Sequence, residues 1–374
     1  MTFNSLPRAR GESTAVVTLR DWSSCGMRII ATGRAEYLHL STPGVILKGR
    51  NAYVPMRFYG NPGMSRRVFL ITLLSGAIIF CGCRREPREA LHVIYTGNLQ
   101  GYLEPCPCPE GRVGGLSRQA RASEDSLRSW GGAALILDAG VFAEPHDLPG
   151  DLKNRAILEA FAKMKYDAVN VSASDLVAGL ETLRWAADSL NLPLISANLA
   201  YKETSETVFP GWIIKEKNGK EIGIIGAGEV RTADLKRAGV QNLEYLDPET
   251  AIKNIVAEIR PECDIIIVLC DFPARLARQL GVKISGIDVI ISSRDLFPKT
   301  QLNRSGSAYV LGVSRKGTRI TTLDLVLTAD DSLTCWFHSK LLDDDVKGHP
   351  TIDRIVKAYK DSRRSAAFDT LSSE

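Results

Sequence analysis

The sequence predicts a mixed α/β domain of two stacked sheets with helices on the outside, running from about His92 to residue 340. Short strands that are almost entirely apolar alternate with amphipathic stretches of helical length in the first half of this region, which indicates a sheet covered by helices. Hairpin signals and alternating strands follow in the second half, so antiparallel pieces accompany the parallel ones. A hydrophobic content of 44% is typical of an ordinary globular protein.

The first half contains four predicted strands and three predicted helices. The strands are His92–Thr96, Ala134–Asp138, Ala168–Val171 and Pro193–Ala197. The helices are Leu116–Ser129, Leu152–Lys165 and Leu176–Leu190. In the third helix, Leu180, Leu183, Ala187 and Leu190 fall on one face, which predicts a buried apolar stripe.

The second half begins with a hairpin signal, Asn218-Gly219, which favours a type I′ turn between Val208–Glu216 and Glu221–Gly226. A helix over Glu249–Ile259 precedes two buried strands, Asp264–Leu269 and Ile287–Ser292, which flank a helix over Pro273–Leu280. Three antiparallel strands and a last helix follow, at Tyr309–Val313, Arg319–Leu327, Thr334–His338 and Thr351–Lys360, and the tail is polar.

An export signal is predicted well inside the chain. Met64-Ser65-Arg66-Arg67 precedes an apolar run of about a dozen residues, Val68–Phe80, which is short for a membrane span and suits a signal-peptide core. The run ends in Phe80-Cys81-Gly82-Cys83, which resembles a lipobox and predicts a lipid on Cys83. A plain membrane anchor is the alternative. The arginine pair also resembles the twin-arginine export motif, with an ordinary secretory leader as the other interpretation.

These signals predict the domain organisation and the location. We expect a lipoprotein held outside the cytoplasm, on the periplasmic side or at the cell surface, with the membrane as partner through Cys83. The expected segments are a non-native or disordered extension (1–63), a signal peptide (64–82), a lipid-anchored linker (83–91), the globular domain (92–340) and a C-terminal helix with a polar tail (341–374). A net charge of +4 on 374 residues is weak and favours neither nucleic-acid nor anionic-membrane binding. We therefore expect no nucleic-acid partner, and a small molecule or a protein as the ligand.

Polar segments follow the predicted strands in a regular series. They are Thr96–Gly101, Asp138–Val141, Val171–Asp175, Ser196–Leu199, Leu269–Asp271 and Ser292–Asp295. The series resembles the motifs of the calcineurin-like metallophosphoesterases, specifically the 5′-nucleotidase branch. The resemblance implies a four-layer α/β/β/α sandwich with mixed sheets, and hydrolysis of phosphate esters by two metal ions at the strand ends.

The metal ligands that the resemblance implies are largely replaced. Asn98 and Gln100 stand where the family has Asp and His, and none of the five histidines falls on a ligand position. The other replacements are Val141 for Asp, Ala173 and Ser174 for Asn and His, Asp271 for His, and Arg294 and Leu296 for two His, whereas Asn198 is kept. Neutral amides offset two dications poorly, so we expect no dinuclear centre of the usual type and assign no cofactor.

The leading hypothesis is therefore a non-catalytic or repurposed relative of these phosphoesterases, a pseudoenzyme. It would bind a ligand or partner in the crevice at the strand ends, where the resemblance implies metal ions. The candidate crevice residues are Asn98, Gln100, Asp138, Asp175, Asn198, Asp271 and Arg294. Arg294 is predicted either to form a hydrogen-bonded cluster with Asp271, which Asp138 could join, in place of metal, or to reach solvent. About fifty residues follow Leu327, so we do not expect the second domain that supplies nucleotide specificity in this branch.

Two alternatives stay open. The first is a phosphoester hydrolase with an atypical divalent-metal site made from Asp138, Asp175, Asn198 and Asp271. The second is a metal-binding or redox lipoprotein that uses the thiols of Cys106, Cys108 and Cys270, against which a loop staple or unreactive thiols is the simpler interpretation.

Overall fold

The computed structural model describes four short strands within residues 14–47, then residues 90–372 except 109–110, 133, 145–151, 297–302 and 329–331. The chain divides into two units, residues 1–85 and 86–374. In the first unit, β1 (Thr14–Val17) pairs antiparallel with β2 (Ile29–Thr32), and β3 (Leu38–Ser41) with β4 (Gly44–Leu47). The predicted signal segment and Cys83 lie outside the described residues.

The first sheet of the second unit has six strands and is parallel on one side. Its spatial order is β10 (Leu194–Ile195), β9 (Ala168–Asn170), β8 (Ala134–Asp138), β5 (Leu91–Thr96), β19 (Arg319–Leu327) and β20 (Leu333–Leu341). The first four strands run parallel, whereas β19 is antiparallel to both β5 and β20. Because parallel strands end on the same edge, the polar segments after β5, β8 and β9 are brought together.

The second sheet also has six strands, with four parallel strands in its middle. Its order is β12 (Trp212–Lys217), β13 (Lys220–Ala227), β15 (Ile265–Cys270), β16 (Val289–Leu296), β18 (Ala308–Val313) and β17 (Asn303–Ser305). The antiparallel orientation expected for β18 holds on one side only: β18 pairs antiparallel with β17, but it runs parallel to its other neighbour, β16, because β17 returns the chain between them in the sequence. The hairpin prediction is confirmed, since Asn218 and Gly219 have φ of 52° and 65° between β12 and β13.

Three apolar layers hold the fold together. Side chains of both sheets meet in a central cluster that includes Val93, Leu135, Ile224 and Ile267. The first sheet is covered by α1 (Leu116–Ser129), α2 (Leu152–Met164), α3 (Leu180–Leu190) and α7 (Pro350–Ser372), and the second by α5 (Pro248–Ile259) and α6 (Ala274–Lys283). A short helix, α4 (Thr232–Arg237), packs near the end of the first sheet. The four-layer α/β/β/α prediction is confirmed.

Two helix predictions need correction. The expected helix over Leu176–Leu190 is broken at Gly179, whose φ of 84° separates the 3-10 helix Ala173–Ala178 from α3. The helix expected to stop at Lys360 continues as α7 to Ser372, and its residues 361–365 are exposed, so they extend the helix without adding to its buried face. In the described part of the chain, none of the helices is both long and apolar enough to cross a membrane.

Two small two-stranded sheets complete the fold. The segment Cys106-Pro107-Cys108 forms β6 (Cys106–Cys108), which pairs antiparallel with β7 (Gly111–Val113). The other pair is β11 (Leu199–Tyr201) with β14 (Leu243–Tyr245). The cysteine segment is therefore one arm of a hairpin rather than an irregular loop.

Candidate functional site

A crevice of about 830 Å³ lies where the strand-end segments meet. Of the predicted crevice residues, Asn98, Gln100 and Arg294 line it, together with Val141 and Ser174. Asp138, Asp175, Asn198 and Asp271 are fully or almost fully buried behind this surface. The predicted set therefore separates into side chains that face the crevice and side chains that support its walls.

Two loops are bonded to each other at the floor of the crevice: loop 97–101 after β5 and loop 140–143 after β8. The backbone N–H groups of Asn98, Gln100 and Gly101 donate to the carbonyl oxygens of Gly140, Val141 and Phe142 at 2.8, 3.0 and 2.9 Å. These three hydrogen bonds fix the shape of both loops.

The locked loops hold three non-glycine residues in the left-handed region. Asn98, Gln100 and Val141 have φ of 54°, 53° and 64°, and for a β-branched residue such as Val141 this conformation is costly. These are also three positions at which the family resemblance implies metal ligands. The chain therefore keeps a demanding backbone shape at positions where it has lost the corresponding donors.

Asp175 fixes loop 140–143 from behind. One carboxylate oxygen accepts the N–H groups of Phe142 and Ala143 at 2.7 and 3.0 Å, and the other accepts those of Val141 and Ser172 at 2.8 and 2.9 Å. Burial raises the pKa of Asp175, and these hydrogen bonds oppose the rise. Asp175 also completes a capping box with Ser172 at the start of its 3-10 helix.

Asp138 lies at the end of β8, beneath the first loop. Its oxygens accept hydrogen bonds from the Thr96 hydroxyl at 2.6 Å and the Gly140 N–H at 2.8 Å, and the Tyr166 hydroxyl lies 2.8 Å from that of Thr96. Burial raises the pKa of Asp138 to about 7, although both hydrogen bonds lower it. This carboxyl group is a buried titrating group rather than part of the crevice surface.

The side-chain amide of Asn198 is hydrogen-bonded to backbone groups. Its amide nitrogen donates to the carbonyl oxygens of Gly228 and Leu246 at 2.8 and 3.1 Å, and its amide oxygen accepts the Gly228 N–H at 2.9 Å. This arrangement pins the segment after β13 to the segment after β10. The family-type asparagine therefore has a structural role in this chain.

Arg294 and Asp271 are linked through a residue that sequence reasoning missed. The Arg294 guanidinium donates to the Glu229 carboxylate at 2.7 Å, and the Glu229 backbone N–H donates to Asp271. Burial raises the pKa of Asp271 to about 7, while the charge of Arg294 lowers it. The cluster is thus Arg294–Glu229–Asp271. Asp271 was the expected ion-pair partner of Arg294, but the partner is Glu229, which lies two residues beyond β13.

The thiol candidates occupy different surroundings. Cys270 ends β15 and packs in the apolar cluster between the second sheet and its helices. Cys106 is buried in its hairpin, 3.9 Å from the Lys316 ammonium. The side chain of Cys108 lies outside the described residues. The structure therefore gives no converging set of described thiols.

The residues of the crevice do not fit the two-metal centre that the fold family implies. Val141 offers no side-chain donor, the amide oxygen of Asn98 accepts the Gln100 amide N–H at 2.7 Å, and Asn198 is saturated by backbone groups. Among the residues that the structure describes, no three His, Cys, Asp or Glu side chains are grouped so that they could hold a metal ion. No reaction step is therefore assigned to a metal.

The crevice is lined by positively charged side chains, of which only Arg294 could be identified from the sequence. Besides Arg294, the lining includes Lys153, Arg231, Arg237, Arg315 and Arg363. Arg231 precedes α4, Arg237 is its last residue, and both contact the carboxylate of Asp234, at 3.2 and 3.4 Å. The paired arginines around Asp234 were visible in the sequence, but their position beside the strand ends depends on how α4 packs.

Comparison with curated proteins finds distant relatives named 5′-nucleotidase. The chain is 25% identical over 216 residues to one from Vibrio parahaemolyticus and 25% identical over 233 residues to one from Vibrio cholerae. The two alignments cover 53% and 55% of this chain. Since they cover 37% and 40% of the relatives, this chain matches well under half of each relative's length. No model of a known protein family matches the chain.

Solved structures show the same fold at low identity. A calcineurin-like phosphoesterase, YfkN from Bacillus subtilis, superposes with a TM-score of 0.63 at 18% identity, covering 74% of this chain and 98% of that one. A 5′-nucleotidase precursor from Thermus thermophilus gives 0.61 at 18% identity, covering 74% and 59%. The sulfate thiohydrolase SoxB from Thermus thermophilus gives 0.64 at 16% identity, covering 76% and 62%.

Proposed function

We propose that this chain, which has a metallophosphoesterase-type fold and distant relatives named 5′-nucleotidase, is a non-catalytic member of the 5′-nucleotidase branch of the calcineurin-like metallophosphoesterases. In this proposal it is a lipoprotein, held outside the cytoplasm through Cys83, and it binds a ligand in the old crevice. Likeness of fold does not carry activity over from the relatives, so the proposal depends on the residues of the site.

The replacement of donors at the crevice carries the proposal. At the positions where the resemblance implies metal ligands, the side chains that face the crevice are two amides, a valine, a serine and an arginine. The carboxylates of Asp138 and Asp175 accept internal hydrogen bonds. A hydrolase with an atypical metal site would need these buried groups to give up their bonds. The retained crevice and its locked loops support binding, because a surface with a fixed shape loses little entropy when a ligand docks.

We expect the purified protein to contain no stoichiometric metal and to hydrolyse p-nitrophenyl phosphate no faster than buffer, with or without added Mn²⁺, Mg²⁺ or Zn²⁺. The physical reason is that the crevice lacks the anionic and imidazole ligands which hold two such ions together. Elemental analysis and a continuous absorbance assay measure the two quantities.

Asp271→Ala and Asp361→Ala provide the matched comparison, because Asp361 is exposed on α7. Metal-dependent turnover that disappears in Asp271→Ala but persists in Asp361→Ala would show a working atypical hydrolase and overturn the proposal. Turnover that survives equally in both variants would point to a contaminating phosphatase, and the proposal would stand.

The membrane attachment has its own test. Cells fed labelled palmitate should incorporate the label into the wild-type protein and into Cys81→Ala, but not into Cys83→Ala, because only the thiol after Gly82 receives the lipid. Immunoprecipitation followed by detection of the label measures the incorporation. Equal labelling of all three proteins, or none in the wild type, would contradict lipidation at Cys83.

A further inference from the structure

We infer that the crevice binds a small molecule carrying two or more negative charges, with arginine side chains acting where the relatives' fold would place metal ions. The inference rests on the proposed function, since it names the chemical class of the ligand for the same site. It follows from the charges that line the crevice, from how they are paired, and from the elements that position them.

The lining of the crevice carries an excess of positive charge. Its cations are Lys153, Arg231, Arg237, Arg294, Arg315 and Arg363, and its carboxylates are Glu104, Glu144 and Asp234. Each carboxylate already has a cationic partner. Glu144 pairs with Lys153 at 2.8 Å, Asp234 with two arginines, and Glu104 with Lys360. Since the carboxylates are committed, the field in the crevice attracts anions and repels metal cations.

Arg315 and Arg363 are the cations best placed to receive a ligand. Both are exposed, and neither has an ion-pair partner among the residues that the structure describes. They come from different elements, Arg315 from a 3-10 turn after β18 and Arg363 from α7. Guanidinium groups reaching one cavity from separate elements can hold a ligand that bears more than one anionic group.

The turn that carries Arg315 is fixed to the crevice floor. The backbone N–H of Lys316 donates to the carbonyl oxygen of Asn98 at 2.8 Å, so Arg315 emerges directly beside loop 97–101. The amide of Asn98 is oriented as well, because its oxygen accepts the Gln100 amide N–H at 2.7 Å. The side-chain amide N–H groups of Asn98 have no hydrogen-bond partner among the described residues and are available to an anion.

These features define the ligand class. Forked guanidinium donors and amide N–H groups match the oxygens of phosphate and carboxylate groups. A cavity of about 830 Å³ accommodates a molecule of metabolite size. Tyr102 and Tyr359 also line it.

Isothermal titration calorimetry with pyrophosphate and with citrate tests the inference and separates the two anion chemistries. At low salt we expect saturable binding of at least one probe, weakened by added sodium chloride. Arg315→Gln should weaken binding about tenfold, which is the effect of losing one charge-assisted hydrogen bond. Arg278→Gln removes an exposed arginine on α6, outside the crevice lining, and should leave the affinity unchanged.

The outcomes separate this inference from the proposed function. No saturable binding of either probe, or equal affinity in wild type and Arg315→Gln, overturns the anion site. Equal weakening in Arg315→Gln and Arg278→Gln overturns it too, since binding would then follow total charge. In each case the proposed function survives if the phosphatase assay stays negative, whereas metal-dependent turnover refutes the proposed function even when both anions bind. Circular dichroism melting curves confirm that the variants are folded.

Discussion

Asp175→Ala is expected to lower the free energy of unfolding by about 3–5 kcal/mol. The wild-type carboxylate is fully buried and satisfies four backbone N–H groups, three of which belong to Val141, Phe142 and Ala143. Alanine leaves these donors without an acceptor and releases a loop whose Val141 is held in the left-handed region. Urea denaturation followed by circular dichroism measures the change.

Asp361→Ala is the matched comparison for this effect. Asp361 is exposed and lies 3.9 Å from Arg364 one turn along the same helix, so its loss should change the unfolding free energy by less than about 0.5 kcal/mol. A change below about 1 kcal/mol for Asp175→Ala would mean that loop 140–143 keeps its shape without this carboxylate. The account of how the crevice floor is locked would then be wrong.

The second large effect is a dependence of stability on pH. In the folded protein the pKa values of Asp138 and Asp271 are both raised to about 7, whereas an unfolded aspartate titrates near 3.9. Between these values the folded state holds protons that the unfolded state has released. The unfolding free energy should therefore fall as the pH rises from about 4 to about 7, by up to about 4 kcal/mol for each carboxyl group.

The variant Asp138→Asn separates the contribution of Asp138 to the pH dependence of the unfolding free energy from that of Asp271. Asparagine imitates the protonated carboxyl group, since its oxygen can accept the Gly140 N–H and its nitrogen can donate to the Thr96 hydroxyl. We expect the variant to match the wild type near pH 5 and to be more stable than it near pH 8, with a reduced slope that Asp271 still supplies. Lower stability of Asp138→Asn at both pH values would show that Asp138 is ionised throughout. Thermal melts across this pH range provide the measurement.

Much of the fold could be predicted because its signals are local. The apolar strands, the amphipathic helices and the Asn218-Gly219 turn each depend on neighbouring residues, and the structure contains them. The orientation of β18 could not be predicted in the same way, because it depends on the return through β17. The break at Gly179 was visible as a glycine, but an isolated glycine does not by itself end a helix.

The site was less predictable because its side chains meet through packing. The family resemblance placed Asn98, Gln100 and Arg294 at the crevice, and all three line it. Nothing in the sequence indicates that Glu229 pairs with Arg294, or that Arg315 reaches the same cavity, since both depend on how distant segments dock. Polar residues at strand ends could be identified from the sequence, but whether they face the crevice or the interior could not.

The turn Arg315–Gly317 also joins the two halves of the sandwich. It connects β18 in the second sheet to β19 in the first, and the Lys316 N–H ties it to loop 97–101. Arg294 belongs to the second sheet, whereas Asn98 follows a strand of the first. A molecule that contacts Arg294, Asn98 and the turn Arg315–Gly317 would bridge the two sheets. We therefore expect ligand binding in the crevice to raise the force needed to pull the two sheets apart.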